Sequence, residues 1–152
     1  MLEILTKIFL KKFFFIIFFD IIYIIMSIKS SLSLVQEALK IVKTISATEA
    51  LQLFKEKECN LIDIRDTVEL EMNGRIENSS HISRGLLEFS IHPDSPYFKK
   101  EKLDIKKPII LFCAAGGRSA LAAKTLNEMG FENVSHVEGG FSLMKNKGFK
   151  II

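Results

Sequence analysis

The chain has 152 residues, 48% of them hydrophobic and 26% charged, which fits one globular domain with a single core and leaves little room for a second. Its formal charge of +3 comes from 21 basic and 18 acidic side chains spread along the sequence, so there is no concentrated field of the kind that grips a phosphate backbone, and nucleic acid is not an expected partner. Two cysteines, Cys59 and Cys113, allow at most one disulfide, and three scattered histidines complete no ligand spacing, so neither a disulfide scaffold nor a metal centre is expected.

Residues 1–26 form a hydrophobic extension. From Ile8 to Ile25 the chain reads IFLKKFFFIIFFDIIYII. A spanning helix needs about 20 mostly apolar residues, and Lys or Asp near the bilayer centre costs about 2.5 to 3.5 kcal/mol. The uninterrupted run Phe13 to Phe19 is shorter than that, and Lys11, Lys12 and Asp20 interrupt what surrounds it. Three readings stay open. The segment is a signal anchor touching a membrane through residues 8–25; or it is an export signal, though no small-x-small cleavage site follows around Met26-Ser27-Ile28-Lys29; or Met26 is the initiator, and the abrupt change of composition there marks translated upstream sequence. A reducing, cytoplasmic location is the expectation for the rest of the chain, with membrane anchoring or export as the alternative.

Residues 27–43 read as an amphipathic lead-in helix. Leu34, Val35, Ala38, Leu39, Ile41 and Val42 recur at helical spacing within Ser33 to Ile45, with Gln36, Glu37, Lys40 and Lys43 on the other side. Ser46 and Glu49 have the form of a capping box and open a second helix, Ala47 to Lys57, with Ala50, Leu51 and Phe54 inward. Asn60 to Ile64 and Pro108 to Phe112 are short apolar runs of the kind found in buried parallel strands. Between them the sequence predicts a short helix from Thr67 to Met72, a turn at Asn73-Gly74, and a polar stretch of loop and short helix containing Pro93 and Pro96. A helix from Arg118 to Met129 ended by Gly130, a strand near Asn133 to Val137 and a last helix after Gly139-Gly140 complete the chain. This alternation implies an α/β fold: a doubly wound, mostly parallel sheet with helices on both faces and its ligand site at the carboxyl ends of the strands.

Cys113 lies at such an end, and the chemistry is read from the loop Cys113-Ala114-Ala115-Gly116-Gly117-Arg118-Ser119. Glycines let successive N–H groups turn inward as an anion nest, and the helix start adds unpaired N–H groups and the positive end of its dipole. A free cysteine has a pKa of about 8.5, and sites at helix starts or beside cations fall to roughly 3.5 to 7.5, so a nucleophilic thiolate is expected here. Arg118 either holds an anionic donor or fixes the loop.

A strand followed by Cys-x-x-Gly-x-Arg-Ser and a helix resembles the active-site loop of the rhodanese sulfurtransferases. Other segments agree in order. Asp63-x-Arg65-Asp66 resembles the family's Asp-x-Arg-Glu, Gly74-Arg75-Ile76 its Gly-His-Ile or Gly-Lys-Ile, and Gly139-Gly140-Phe141 its closing Gly-Gly motif. Arg84 to Phe89 and Asp94 to Tyr97 resemble bacterial single-domain members. The resemblance covers residues 44–150. It departs from the family pattern at Glu77-Asn78-Ser79, at Met144 and at Gly117.

The resemblance implies a rhodanese-like domain in which Cys113 attacks a sulfane sulfur, forms a persulfide and yields it to a second nucleophile. By the same carry-over, the amides from Ala114 to Arg118 hold the persulfide, Arg118 binds the donor, Ser119 completes the substrate-binding loop, the partners are a small sulfur-containing donor and a small or protein thiol acceptor, and no cofactor or metal is required. Two rivals remain. Cysteine phosphatases and arsenate reductases place five residues between cysteine and arginine where this loop has four, and a rhodanese fold can serve as a noncatalytic binding module. Cys59 reads as structural rather than as a resolving thiol, Asp63 and Arg65 as a structural ion pair, and His81, His92 and His136 as solvated or hydrogen-bonded surface positions.

Overall fold

A computed structural model describes residues 10–18, 28–99 and 103–152. The chain divides into two compact units, residues 1–30 and 31–152. In the first, residues 10–18 are helical and their side chains are exposed. Half of the membrane-contact segment 8–25, together with Met26, falls outside the described residues. Among the described residues no helix is long and apolar enough to cross a membrane.

The second unit is built on five parallel strands, β1 (Lys43–Ile45), β2 (Asn60–Asp63), β3 (Ser80–His81), β4 (Ile109–Phe112) and β5 (Val134–Val137), in the order β1-β5-β4-β2-β3. The helices are α1 (Ser31–Leu39), α2 (Ala47–Lys55), α3 (Thr67–Asn73), α4 (Leu87–Ile91), α5 (Gly117–Glu128) and α6 (Gly140–Met144), with a 3₁₀ turn over Arg84–Leu86. Strand alternation sorts the core onto two faces. Ile109, Leu111 and Cys113 join Ile62 and Ile64 against Ala38 of α1, Leu87 and Ile91 of α4, and the alanines and Leu126 of α5. Ile110, Phe112 and Leu61 pack on the other side with Ala47 and Ala50 of α2 and Phe141 and Met144 of α6. Each buried Leu or Ile contributes about 1.5 to 3 kcal/mol, and covering both faces is what stabilises an all-parallel sheet. The doubly wound α/β architecture expected from the sequence is the one observed.

Two expectations are corrected. The lead-in helix ends at Leu39 rather than continuing toward Ile45, and Lys43–Ile45 is a strand, pairing Lys43 with Ser135, Thr44 with His136 and Ile45 with Val137. Thr44 and Ile45 are β-branched, a class that suits a pleated edge better than a helix. His136 is also no surface residue: it is 2% exposed within β5, with Nε2 2.9 Å from Thr44 Oγ1 and Nδ1 3.4 Å from Ser119 Oγ. His81 and His92 are exposed and hydrogen-bonded, His81 Nε2 to the Arg65 carbonyl at 2.8 Å and His92 Nδ1 to the Asp94 amide at 3.2 Å.

The sheet also encloses an ion pair. Arg65 is 1% exposed, and its guanidinium meets the fully buried Asp63 carboxylate through Nη2 at 2.6 Å and Nε at 3.0 Å, while Nη2 also donates to the Gly74 carbonyl at 3.0 Å. Removing one member leaves a buried charge without its partner, at a cost of about 3 to 5 kcal/mol. Arg65→Ala should therefore lower the unfolding free energy in urea by about that amount; a loss below about 1 kcal/mol would show that the pair is not holding the fold. Burial pushes the His136 imidazole below its ordinary pKa. The unfolded chain then binds this proton more readily than the folded one, so stability should fall as pH drops below about 6.5, and His136→Asn should flatten that slope in a pH series of urea melts.

Candidate active site

All four residues of β4 are buried, and the strand delivers Cys113 to its carboxyl end on the α5 side of the sheet. The chain then turns through Ala114 and Ala115 into Gly116, whose φ of 98° is a conformation that strains any residue with a Cβ. At this turn the Gly116 N–H faces the cysteine, and it donates to Cys113 Sγ at 3.2 Å. Helix α5 begins immediately afterwards, so the sulfur lies at a helix N-terminus as well as in a loop of amides. Of the amides expected from Ala114 to Arg118, that of Gly116 forms the hydrogen bond to the sulfur among the described residues. Cys113 itself is 2% exposed. Its rim is small: Ala115 is exposed, Ala114 and Gly117 are half-buried, and none of the three presents more than a methyl group.

A second loop clamps the first from behind. The Phe141 N–H donates to the Cys113 carbonyl at 2.8 Å and the Ser142 N–H to the Ala114 carbonyl at 3.1 Å. Gly140 makes this approach possible, since a Cβ there would overlap the Cys113 carbonyl oxygen, and its φ of 53° disfavours side chains independently. The Phe141 ring lies under the Arg65 guanidinium, 3.8 Å from its centroid, tying the clamp to the buried ion pair.

The other expected site residues take fixing positions. Ser119 is fully buried and donates to the Gly116 carbonyl at 3.0 Å, with His136 behind it. Arg118 makes a two-pronged pair with Glu69, Nη1 to Oε2 at 2.6 Å and Nη2 to Oε1 at 2.7 Å, and Asp66 Oδ2 stands 3.5 Å from Nη1. The Arg118 hydrogen bond holds the Glu69 carboxyl down to about 2, against a smaller opposing effect of burial, and Glu69 in turn holds Arg118 protonated. Glu69 was not singled out from the sequence, although Asp66 followed three residues later by Glu69 is the spacing of a capping box, and Glu69 Oε2 does accept from the Asp66 amide at 3.0 Å.

Cys59 stands apart from this site. The β2–β4 register places it at the amino ends of the strands and Cys113 just past the carboxyl ends, five residues or roughly 16 Å along the sheet and on the opposite face. A disulfide requires Cα atoms within about 7 Å, and burial pushes the Cys59 thiol up to about 11, so it is neither placed nor activated as a resolving thiol. A cavity of about 320 Å³ bounded by Thr67, Ser80, His81, Ser83, Tyr97 and Lys99 is a separate feature, with no residue from Cys113 to Ser119 in its wall.

Residues 46–147 match the rhodanese-like domain family. The thiosulfate sulfurtransferase GlpE of Coxiella burnetii is 35% identical over 104 residues, 68% of this chain and 87% of that protein. A solved structure from Rhodopseudomonas palustris, of unknown function and described as a possible tyrosine phosphatase, superposes with a TM-score of 0.75 at 38% identity, covering 83% of this chain and 96% of that one. The polysulfide-sulfur transferase homodimer of Wolinella succinogenes gives a TM-score of 0.62 at 36% identity, over 78% of this chain and 83% of that one. With a parallel five-stranded sheet, a cysteine loop at its carboxyl edge and a match across two thirds of its length, the chain belongs to the rhodanese-like domain family.

Proposed function

We propose that the domain is a sulfurtransferase that moves a sulfane sulfur from a donor such as thiosulfate to a thiophilic acceptor, cyanide or a thiol, through a persulfide on Cys113. The observation that carries this reading is the Gly116 amide on Cys113 Sγ at the start of α5, an arrangement that stabilises a sulfur anion, with the nearby Arg118 charge acting in the same direction. In the first step the Cys113 thiolate attacks the outer sulfur of thiosulfate, the donor's S–S bond breaks, and sulfite leaves with the electron pair. In the second, the acceptor attacks the outer sulfur of the Cys113 persulfide and the thiolate is regenerated. Neither step requires a metal or an organic cofactor. The names borne by relatives in Coxiella and Wolinella support the same chemistry.

The description attached to the Rhodopseudomonas structure raises phosphate-ester hydrolysis as a rival. Two features favour sulfur. Four residues separate Cys113 from Arg118, one fewer than in the phosphatases, and the Arg118 guanidinium that would grip phosphate oxygens is engaged by Glu69.

Incubation with thiosulfate should add one sulfur mass to Cys113 by mass spectrometry, and transfer to cyanide should vanish in Cys113→Ser; hydrolysis of a phosphate ester with no sulfur gain would overturn the proposal. Gly140→Ala forces a methyl group against the Cys113 carbonyl, so sulfur loading should slow by about tenfold or more while the protein stays folded, because small misplacements of reacting groups cost rates of that order. Unchanged loading in that variant would show that the clamp does not shape the cup.

A further inference from the structure

His136 is buried in β5 and does no work in the sulfur chemistry described so far, yet it stands close to the cysteine. Leu111 of β4 pairs with His136, so Cys113, two residues further on, lies one strand across and one pleat repeat along, roughly 8 Å away between Cα atoms. One buried hydroxyl joins the histidine to the loop. Ser119 Oγ donates its single proton to the Gly116 carbonyl at 3.0 Å, so toward the imidazole it can only accept. In the 3.4 Å contact between Ser119 Oγ and His136 Nδ1 the ring N–H is therefore the donor, which leaves Nε2 bare to accept from the Thr44 hydroxyl at 2.9 Å. Burial lowers the pKa of this ring, with Glu138 acting in the opposite sense, so the neutral ring with its proton on Nδ1 is the form at neutral pH.

The row of hydrogen bonds then runs in one direction, from Thr44 to His136, from His136 to Ser119 and from Ser119 to the Gly116 carbonyl, while the Gly116 N–H meets Cys113 Sγ at 3.2 Å. Gly116 is where such support matters, because a glycine at a φ of 98° has no side chain of its own to hold it and is fixed through its carbonyl, by the Ala120 N–H at 3.0 Å and by Ser119. Were the imidazole proton on Nε2 instead, Nδ1 would compete for the Ser119 proton and draw it off the Gly116 carbonyl. Thr44, by donating to Nε2, selects the tautomer that does not compete. Resting on the sulfur-transfer reading above, we infer that His136 is a positioning residue for Cys113: its Nδ1–H fixes the Ser119 hydroxyl on the Gly116 carbonyl and so holds Gly116 where its amide meets the sulfur. It acts through Ser119 and touches neither the cysteine nor the donor.

The test compares His136→Leu, His136→Asn, Ser119→Ala and the Ser119→Ala/His136→Leu double variant with the unaltered full chain, each shown by circular dichroism to be folded at the assay temperature. Two rates are read at neutral pH: sulfur gain on Cys113 from thiosulfate, and alkylation of Cys113 by iodoacetamide followed on its own peptide, apart from Cys59, whose thiol is pushed up to about 11. In His136→Leu the saturating rate of sulfur gain should fall about tenfold with little change in the thiosulfate concentration at half-saturation, since misplacing a reacting group costs rate rather than binding. Asparagine offers an amide N–H near the place of Nδ1–H, so His136→Asn should stay within about threefold of the unaltered chain, a rescue that a loss of packing alone would not show. Ser119→Ala should fall as far as His136→Leu, and the double variant little further, because the two residues act in series. Alkylation should follow the same order. If folded His136→Leu loads and alkylates at the unaltered rates, if His136→Asn falls as far as His136→Leu, or if the double variant loses the product of the two single losses, the inference is overturned and sulfur transfer stands. If the unaltered chain gains no sulfur, the sulfur-transfer reading fails, and the alkylation rates alone decide whether His136 positions the cysteine.

Discussion

Phe141 is the residue on which two otherwise separate parts of the domain converge. Its N–H group holds the Cys113 carbonyl, which sets where the cysteine loop leaves β4, and its ring carries the Arg65 guanidinium, which neutralises the Asp63 carboxylate inside the sheet. Neither contact can form unless the backbone of the second loop comes close to the first, and Gly140 is what lets it come that close. The constraint is therefore steric before it is electrostatic. A bare α-carbon at one position fixes the distance between two loops, and the sulfur's environment follows from that distance.

Burying Arg65 and Asp63 together is expensive, since each charge gives up water worth several kcal/mol, and their mutual attraction offsets this only when the remaining donors are also used. Here they are: Nε and Nη2 meet the carboxylate, Nη2 also meets the Gly74 carbonyl, and the aromatic face of Phe141 takes the flat side of the guanidinium. Such a pair adds little net stability over a well-packed apolar alternative. What it adds is direction, because a forked guanidinium tolerates few arrangements of its partners. It aligns the end of β2 and the turn at Gly74 with the start of α6, which lies far from both in sequence.

Much of this was legible in the sequence, and the failures have physical causes. The strands β2, β4 and β5 and the helices α2, α3 and α5 announce themselves through short apolar runs, capping residues and glycine stops, which are local signals. The edge strand β1 is hidden by the helical spacing of Leu39, Ile41 and Val42 just before it, and only pairing with β5 decides between helix and strand. Strand β3 has two residues, too few for any period to show. The burial of His136 left no trace at all, since a lone histidine in a short strand looks the same whether a threonine and a serine wait for it or solvent does. In the site, Cys113, Gly116 and the following helix start are visible from the local order of residues, an apolar strand ending in a cysteine with glycines and a helix after it. The engagement of Arg118 was not, because its partner Glu69 lies 49 residues away and its only sequence signal pointed to a helix cap.

That last difference changes what kind of site this is. An arginine at the second residue of the helix after a cysteine loop invites the reading of a ligand hook, but a guanidinium whose two outer nitrogens already meet one carboxylate is a strut between α3 and α5. With Arg118 held in that way, and with alanine and glycine over the rest of the loop, the hydrogen bonding offered to the sulfur comes from peptide groups and the helix start, and Arg118 contributes its charge from a fixed position. Backbone dipoles cannot swing aside or change protonation, so a cup made of them keeps its shape only as long as the chain path does. The positions that matter most are then those that fix the path: Gly116, which takes the left-handed turn into α5 and whose amide meets the sulfur; Ser119, which ties down the Gly116 carbonyl; and Gly140, which admits the clamp.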